Sequence, residues 1–177
     1  MKRRFAGISN PEAKHEKTSV MLNISQEAEL LRKVPMFSKM ESSKLKLLAF
    51  TSDSFTFDHG ESLCHAGDAA DCAYVIMSGE VEVIAEAQDG TEVLIGVRGS
   101  NELIGEMAVV TNEPRSASVR ARGEVVAMRI MDEALLKLMS ENPEIALDVM
   151  RQMAERLAET GRKYQEVQIR LRHYESQ

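Results

Sequence analysis

Residues 103–119 read LIGEMAVVTNEPRSASV and place a carboxylate, a short apolar segment and an arginine within one compact loop. Gly105 has no Cβ, so the backbone there can approach a ligand closely. The segment that follows Glu106 suits about one helical turn, whose first amides favour an anion. Pro114 ends any helix, and Arg115 then offers a planar guanidinium that suits phosphate. Because an ionised glutamate accepts hydrogen bonds, the stretch predicts a pocket for a ligand with phosphate and hydroxyl groups.

Two motifs in this stretch resemble the phosphate-binding cassette of cyclic nucleotide-binding domains, such as those of catabolite activator proteins and protein kinase A regulatory subunits. The cassette reads roughly Gly-Glu-x-Ala and then, after a variable stretch, Arg-Ser/Ala/Thr-Ala. The corresponding residues here are Gly105, Glu106, Met107 and Ala108, followed by Arg115, Ser116 and Ala117. The resemblance implies that Glu106 binds a ribose 2′-hydroxyl and Arg115 the cyclic phosphate. The alternative is a surface loop with a solvated pair of charges.

The residue after the cassette arginine bears on the choice of ligand. In the family, Thr at this position favours cGMP and Ala favours cAMP, while Ser occurs in bacterial cAMP activators. Ser116 therefore makes cAMP the expected ligand and leaves cGMP open.

Composition and charge limit the class of protein. Hydrophobic residues make up 44% of the 177 residues and charged residues 28%, which is typical of a soluble globular protein. The net charge of −6 disfavours a nucleic-acid binder, and no apolar run is long enough to span a membrane. Cys64 and Cys72 are too few for a disulfide framework, and no secretory signal follows the basic start, so we expect buried thiols in the cytoplasm.

The pattern between the two ends of the chain indicates helices, then strands. Apolar residues spaced by three and four up to Pro35 predict a first helix, and a second helix follows before residue 51. From Phe55 to Ile130, turn glycines separate short strands, and Asp89-Gly90 predicts a hairpin. The motifs that also resemble the family are Gly60-x-x-Leu63, Gly67-Asp68, Tyr74-Val75-Ile76 and Ser78-Gly79-Glu80-Val81. We expect an α+β fold, an antiparallel jelly-roll-like β-roll flanked by N-terminal helices and a long C-terminal helix.

Asn142 and Pro143 predict the start of that last helix, with asparagine at the N-cap and proline at the first helical position. A heptad seam then runs through Ala146, Met150, Met153, Leu157, Thr160, Tyr164, Val167, Leu171 and Tyr174. The seam predicts a parallel coiled-coil homodimer. No helix-turn-helix is expected before the sequence ends at Gln177.

The chain therefore divides into a flexible basic tail (1–22), a cyclic nucleotide-binding domain (23–141) and a C-terminal helix (142–177) that serves as lid and dimerisation segment. We expect a non-enzymatic sensor that acts on an unknown effector protein and binds neither nucleic acid nor membrane. Two alternatives stay open. His59, Glu61 and His65 suggest a metal-dependent jelly-roll enzyme, although their order differs from the usual metal-binding spacing. A coiled-coil scaffolding protein with a degenerate pocket is the other, but the intact Glu106 and Arg115 argue against it.

Overall fold

The structure, a computed structural model, describes residues 23–175 of the chain. Its elements in chain order are α1 (Ile24–Lys33), a 3-10 turn (Pro35–Phe37), α2 (Ser42–Phe50), β1 (Asp53–Phe57), β2 (Ser62–Cys64), β3 (Cys72–Glu86), β4 (Glu92–Arg98), β5 (Leu103–Ile104), α3 (Glu106–Thr111), β6 (Ser118–Met131), α4 (Asp132–Glu141) and α5 (Pro143–Glu175). This arrangement confirms the predicted α+β class. The predicted basic tail at residues 1–22 lies outside the described residues.

The sheet is antiparallel and is built around its two longest strands, β3 and β6. The strand order is β1-β6-β3-β4, while β2 also pairs with β6 and β5 pairs with β3. The register between β3 and β6 shifts on both sides of Ser78, and such irregularities increase the local bend of a sheet. Strand β5 pairs Ile104 with Tyr74, which fixes the place in the roll where the loop at Gly105 begins.

Two clusters of buried apolar side chains stabilise this architecture. The first lies inside the roll and includes Phe57, Ile76, Val81, Ile104 and Val125. The second joins the sheet to the helices and includes Leu31, Phe37, Leu45, Val75, Leu103, Leu135, Ile145 and Val149. Leu103 belongs to the second cluster and Ile104 to the first. The two residues of β5 are therefore packed on opposite faces of the strand. This packing anchors the loop that follows.

Helix α5 begins at Pro143, directly after Asn142, as the sequence predicts. Ile145 and Val149 are buried against the rest of the domain. The predicted seam instead faces solvent over most of its length, since Met150, Leu157, Tyr164, Val167, Leu171 and Tyr174 are all exposed. The face that packs within the chain is therefore offset from the seam, and pairing with a second chain stays a prediction.

We expect Gly79→Ala to destabilise the fold strongly. Gly79 has a φ of +88°, and a Cβ there would lie 2.3 Å from the carbonyl oxygen of Glu124. The left-handed backbone should cost about 1–2 kcal/mol of unfolding free energy, and the forced shift of β6 about 1–3 kcal/mol more. Gly90→Ala is the matched control, because its φ is +82° and the nearest atom lies at 4.0 Å. Urea denaturation of both variants should show the larger loss for Gly79→Ala; equal losses would contradict the steric argument.

Candidate ligand-binding site

Gly105 brings the main chain close to the arginine of the predicted site. It is the N-cap of α3 and has a φ of +83°, a conformation that favours glycine. A Cβ at this position would lie 2.2 Å from Nη1 of Arg115. The predicted short helix is confirmed, but it ends at Thr111, before Pro114, because Asn112 adopts a left-handed backbone. Glycine is therefore required here both by its backbone angle and by the close approach of the guanidinium.

Arg115 is fixed through its main chain and its side chain, and it is only 5% exposed. Its amide donates to the carbonyl of Asp68 at 2.9 Å, and its carbonyl accepts from the amide of Gly67 at 2.8 Å. Nη1 donates to the carbonyl of Gly105 at 3.0 Å, and Nη2 donates to the carbonyl of Cys72 at 2.5 Å. These contacts hold the guanidinium between the loop at Gly105 and the start of β3.

The positive charge of Arg115 has no buried counter-charge among the described residues. The carboxylate of Asp71 lies 3.7 Å from Nη2, but it is exposed to solvent. The thiol of Cys72 lies 3.4 Å from Nη2, and burial raises its pKa to about 11, so it is neutral at neutral pH. Nε is buried and has no hydrogen-bond partner in the described part of the chain. Because a guanidinium carries five N–H donors, donors remain for an anionic ligand.

Glu106 is the first residue of α3 and is 1% exposed. Its Oε1 accepts a hydrogen bond from Nη1 of Arg156 at 2.5 Å, and Nη2 of Arg156 donates to the carbonyl of Leu103 at 2.6 Å. Burial raises the pKa of the Glu106 carboxyl, and the charge of Arg156 opposes that rise. Oε2 is buried and has no partner among residues 23–175. One carboxylate oxygen therefore remains available to a hydroxyl donor.

The alternative of a solvated Glu–Arg pair is wrong, because both side chains are buried and each binds other partners. Of the other predicted site residues, Ala108 is buried beneath the loop and Ala117 is half-buried. Met107 and Ser116 are exposed. The structure thus places Glu106 and Arg115 at the same loop, since Glu106 follows Gly105 and Arg115 binds the carbonyl of Gly105. Ligand contacts by any of these residues stay predictions.

The side chains that suggested a metal enzyme make separate contacts in turns. Nδ1 of His59 accepts from the amide of Gly123 at 3.1 Å, and Nδ1 of His65 lies 3.6 Å from Oδ2 of Asp68. Glu61 accepts from a main-chain amide at 2.7 Å. Between residues 23 and 175, no three His, Cys, Asp or Glu side chains are arranged to bind one metal ion. The same residues form no helix with the length and apolar character of a membrane span.

Comparison with known proteins agrees with the geometry. The family model described as Cyclic nucleotide-binding domain matches residues 54–142, half of the chain. The chain belongs to this family. It is 41% identical over 104 residues to the cAMP-dependent protein kinase type II regulatory subunit of Drosophila melanogaster, covering 59% of this chain and 27% of that protein. It is 29% identical over 133 residues to a CRP-like cAMP-activated global transcriptional regulator of Mycobacterium tuberculosis, covering 75% of this chain and 59% of that protein.

The chain thus spans about a quarter to three fifths of the length of these curated relatives. Among solved structures, it is similar to the regulatory domain of Toxoplasma gondii PKA crystallised with cAMP, with a TM-score of 0.66 and 19% identity. That match covers 75% of this chain and 50% of the other. Likeness at this identity concerns the fold, and it confirms the expected β-roll.

Arg156 of α5 was not among the residues predicted from the sequence, yet it contacts Glu106. Arg156 lies 50 residues beyond Glu106 and outside the apolar seam, on the side of α5 that turns toward the roll. Nothing in the local spacing of α5 distinguishes it from the other charged residues of that helix. Its role follows from the path of α5 across the domain.

We expect the stability of the ligand-free wild type, relative to Glu106→Gln, to fall as the pH rises. Burial places the folded-state pKa of Glu106 above its ordinary value, so the folded protein retains this proton more strongly than the unfolded chain. The stabilisation of the folded protein by this proton is complete below the ordinary pKa of the carboxyl. It is lost as the pH rises through the folded-state pKa. Denaturation curves between about pH 4 and about pH 8 measure the difference.

The exposed Glu155→Gln on α5 is the control, since it makes the same chemical change in solvent. It should leave the pH dependence of the unfolding free energy close to that of the wild type. A wild-type advantage over Glu106→Gln that grows with pH would contradict the raised pKa.

Proposed function

We propose that this domain is a non-enzymatic cytoplasmic sensor that binds a cyclic mononucleotide, cAMP in preference to cGMP, and transmits binding to an effector protein. The two curated relatives support cAMP, because their names describe a cAMP-dependent kinase subunit and a cAMP-activated regulator. Ser116 supports the same choice, because its position lacks the threonine that favours cGMP in the family.

The observation that carries this proposal is a pair of buried, oppositely charged groups with unused hydrogen-bonding atoms. Nε of Arg115 lacks an acceptor, and Oε2 of Glu106 lacks a donor, within the described residues. A buried donor or acceptor atom without a hydrogen-bond partner is costly, so these two atoms support a ligand at the site. A cyclic nucleotide supplies both missing partners, since its phosphate is an anion and its ribose hydroxyl is a donor. Arg115 would bind the phosphate and Glu106 the hydroxyl.

Helix α5 provides a route for transmission. Arg156 joins α5 directly to Glu106 and to the carbonyl of Leu103, so a change at the carboxylate reaches the helix without an intermediate element. We infer that occupation of Glu106 by the ligand alters how firmly α5 is held. The lid role predicted for residues 142–177 is part of this proposal.

Isothermal titration calorimetry with cAMP, cGMP, 2′-deoxy-cAMP and a cyclic dinucleotide tests the proposal. We expect cAMP to bind more tightly than cGMP. The 2′-deoxy ligand should lose about 1.5–3 kcal/mol, the usual value of a hydrogen bond to a charged group. If neither cAMP nor cGMP binds, the sensor proposal is wrong and a scaffolding role is favoured. If cAMP and its 2′-deoxy form bind equally, Glu106 does not bind the ribose hydroxyl and has another role.

We expect Arg115→Ala to weaken cAMP binding by about 2–5 kcal/mol, which corresponds to roughly 30-fold to several thousand-fold in Kd. The physical reason is the loss of the buried charge that faces the phosphate. Arg115→Lys should recover part of the affinity, because lysine keeps the charge but lacks the planar fork. Calorimetry measures all three proteins.

Arg122→Ala is the control for Arg115→Ala, because Arg122 of β6 forms an exposed ion pair with Glu80 of β3 at 3.5 Å. Its affinity for cAMP should equal that of the wild type. Circular dichroism must show that Arg115→Ala remains folded. Unchanged affinity in a folded Arg115→Ala protein would refute the assignment of the phosphate site.

We further propose that the seam of α5 pairs two chains in a parallel homodimer. The helix has 33 residues and is about 50 Å long, and its distal apolar residues are exposed in the single chain. Soluble monomers seldom leave so long an apolar stripe in water. Because the packing face within the chain is offset from the seam, α5 can contact its own roll and a second helix together.

Sedimentation equilibrium of the full chain should give a mass near 39 kDa, twice the 19.7 kDa of one chain. Val167→Glu should weaken the dimer, because it places a charge in the apolar seam, and deletion of residues 162–177 should weaken it further. Gln165→Glu is the matched control, since position 165 is exposed and lies outside the seam. A monomer at tens of micromolar, with and without cAMP, would refute the coiled coil.

A further inference from the structure

A second set of charged contacts fastens α5 to the roll, one turn beyond Arg156. Oε2 of Glu159 lies 3.5 Å from Nη2 of Arg98, which is the last residue of β4. Lys163 lies 2.7 Å from Oε1 of Glu159 and donates to the carbonyl of Ile95 at 3.3 Å. These contacts connect two successive turns of α5 to one strand.

The same arginine of β4 is linked to the candidate site through Glu102. Oε1 of Glu102 lies 3.9 Å from Nε of Arg98 and 3.8 Å from Nη2 of Arg156. Its other oxygen accepts from the amide of Gly99 at 2.6 Å, which fixes the carboxylate on the loop after β4. Arg98 and Arg156 are each 18% exposed at the side chain, so both are largely removed from water. A continuous chain of charges therefore runs from Lys163 to Glu106.

The alternating signs of this chain favour one position of α5. Glu159 meets an arginine of β4, and the arginine of α5 at position 156 meets the carboxylates of Glu102 and Glu106. Rotation or lifting of the helix would separate all of these pairs together. Glu159 has no contact with Glu106 or Arg115 that would give it a direct part in ligand binding.

We propose that Arg98 and Glu159 are positioning residues, which hold α5 so that Arg156 stays on Glu106 and the cyclic nucleotide binds tightly. This inference rests on the proposed function for its ligand, but the contact that it describes exists in the ligand-free protein. In the sensor, the pair would set affinity from outside the binding pocket. It would also make that affinity sensitive to ionic strength, because partly exposed pairs are screened by salt.

The test is a double-mutant cycle on the 177-residue chain, with cAMP as the probe in calorimetry. Glu159→Gln should weaken cAMP binding roughly two- to fivefold, the range of a partly exposed ion pair. The same substitution should lose most of its effect in an Arg98→Met background, where only the contact of Glu159 with Lys163 remains. It should change nothing in an Arg156→Gln background, where α5 no longer reaches the carboxylate.

Asp148→Asn is the control, because Asp148 pairs with Arg151 within α5 and makes no ion pair with the roll among the described residues. Unchanged or tighter cAMP binding in Glu159→Gln would overturn the proposal. A full loss that persists in the Arg156→Gln background would also overturn it, since Glu159 would then act by another route.

Hydrogen–deuterium exchange of the ligand-free protein separates this inference from the proposed function. Glu159→Gln should speed amide exchange in the part of α5 around residues 156–163, while Asp148→Asn should not. If the wild type fails to bind cAMP but this exchange difference appears, the sensor proposal fails and the positioning of α5 stands. If cAMP binds and the exchange difference is absent, the positioning role fails alone.

Discussion

The site depends on the burial of two opposite charges next to Gly105, those of Glu106 and Arg115. Neither charge neutralises the other, because Arg115 is bound by main-chain carbonyls and Glu106 by Arg156. In a low-dielectric interior each requires partners of its own, and the surrounding elements supply them. Three segments hold these two groups in place: strand β5, the loop at Gly67 and the start of β3.

The local charge around Arg115, and not the total charge of the chain, bears on the proposed ligand. The chain carries a net charge of −6, but that total does not describe the surroundings of Arg115. Arg156 compensates Glu106, the thiol of Cys72 stays neutral, and Asp71 lies in solvent, so the charge of Arg115 is left without a buried match in the described part of the chain. A small anion is thereby favoured, whereas the overall charge disfavours a polyanion such as nucleic acid.

Helix α5 serves two surfaces at once. Ile145, Val149 and Arg156 face the domain, while the apolar seam that includes Leu157 and Tyr164 faces outward. The helix is therefore tied to Glu106 and β4 by charges on one side, and the seam proposed to pair with a second chain lies on the other. Such an element can join ligand binding to assembly, because movement of the inner face also moves the outer face.

The sequence by itself determined the class of fold and pointed to the two residues that we propose bind the ligand. Period-two strands, turn glycines and the start at Pro143 depend on local backbone preferences, which need no knowledge of distant contacts. The cassette was recognisable because Glu106 and Arg115 lie on one short loop. Only the tertiary structure decided that both are buried, that Arg156 reaches Glu106 and that the packed face of α5 is offset from its seam. Those facts depend on contacts between segments that are far apart in the sequence, such as Arg156 and Glu106 at a separation of 50 residues, and local spacing carries no information about such contacts.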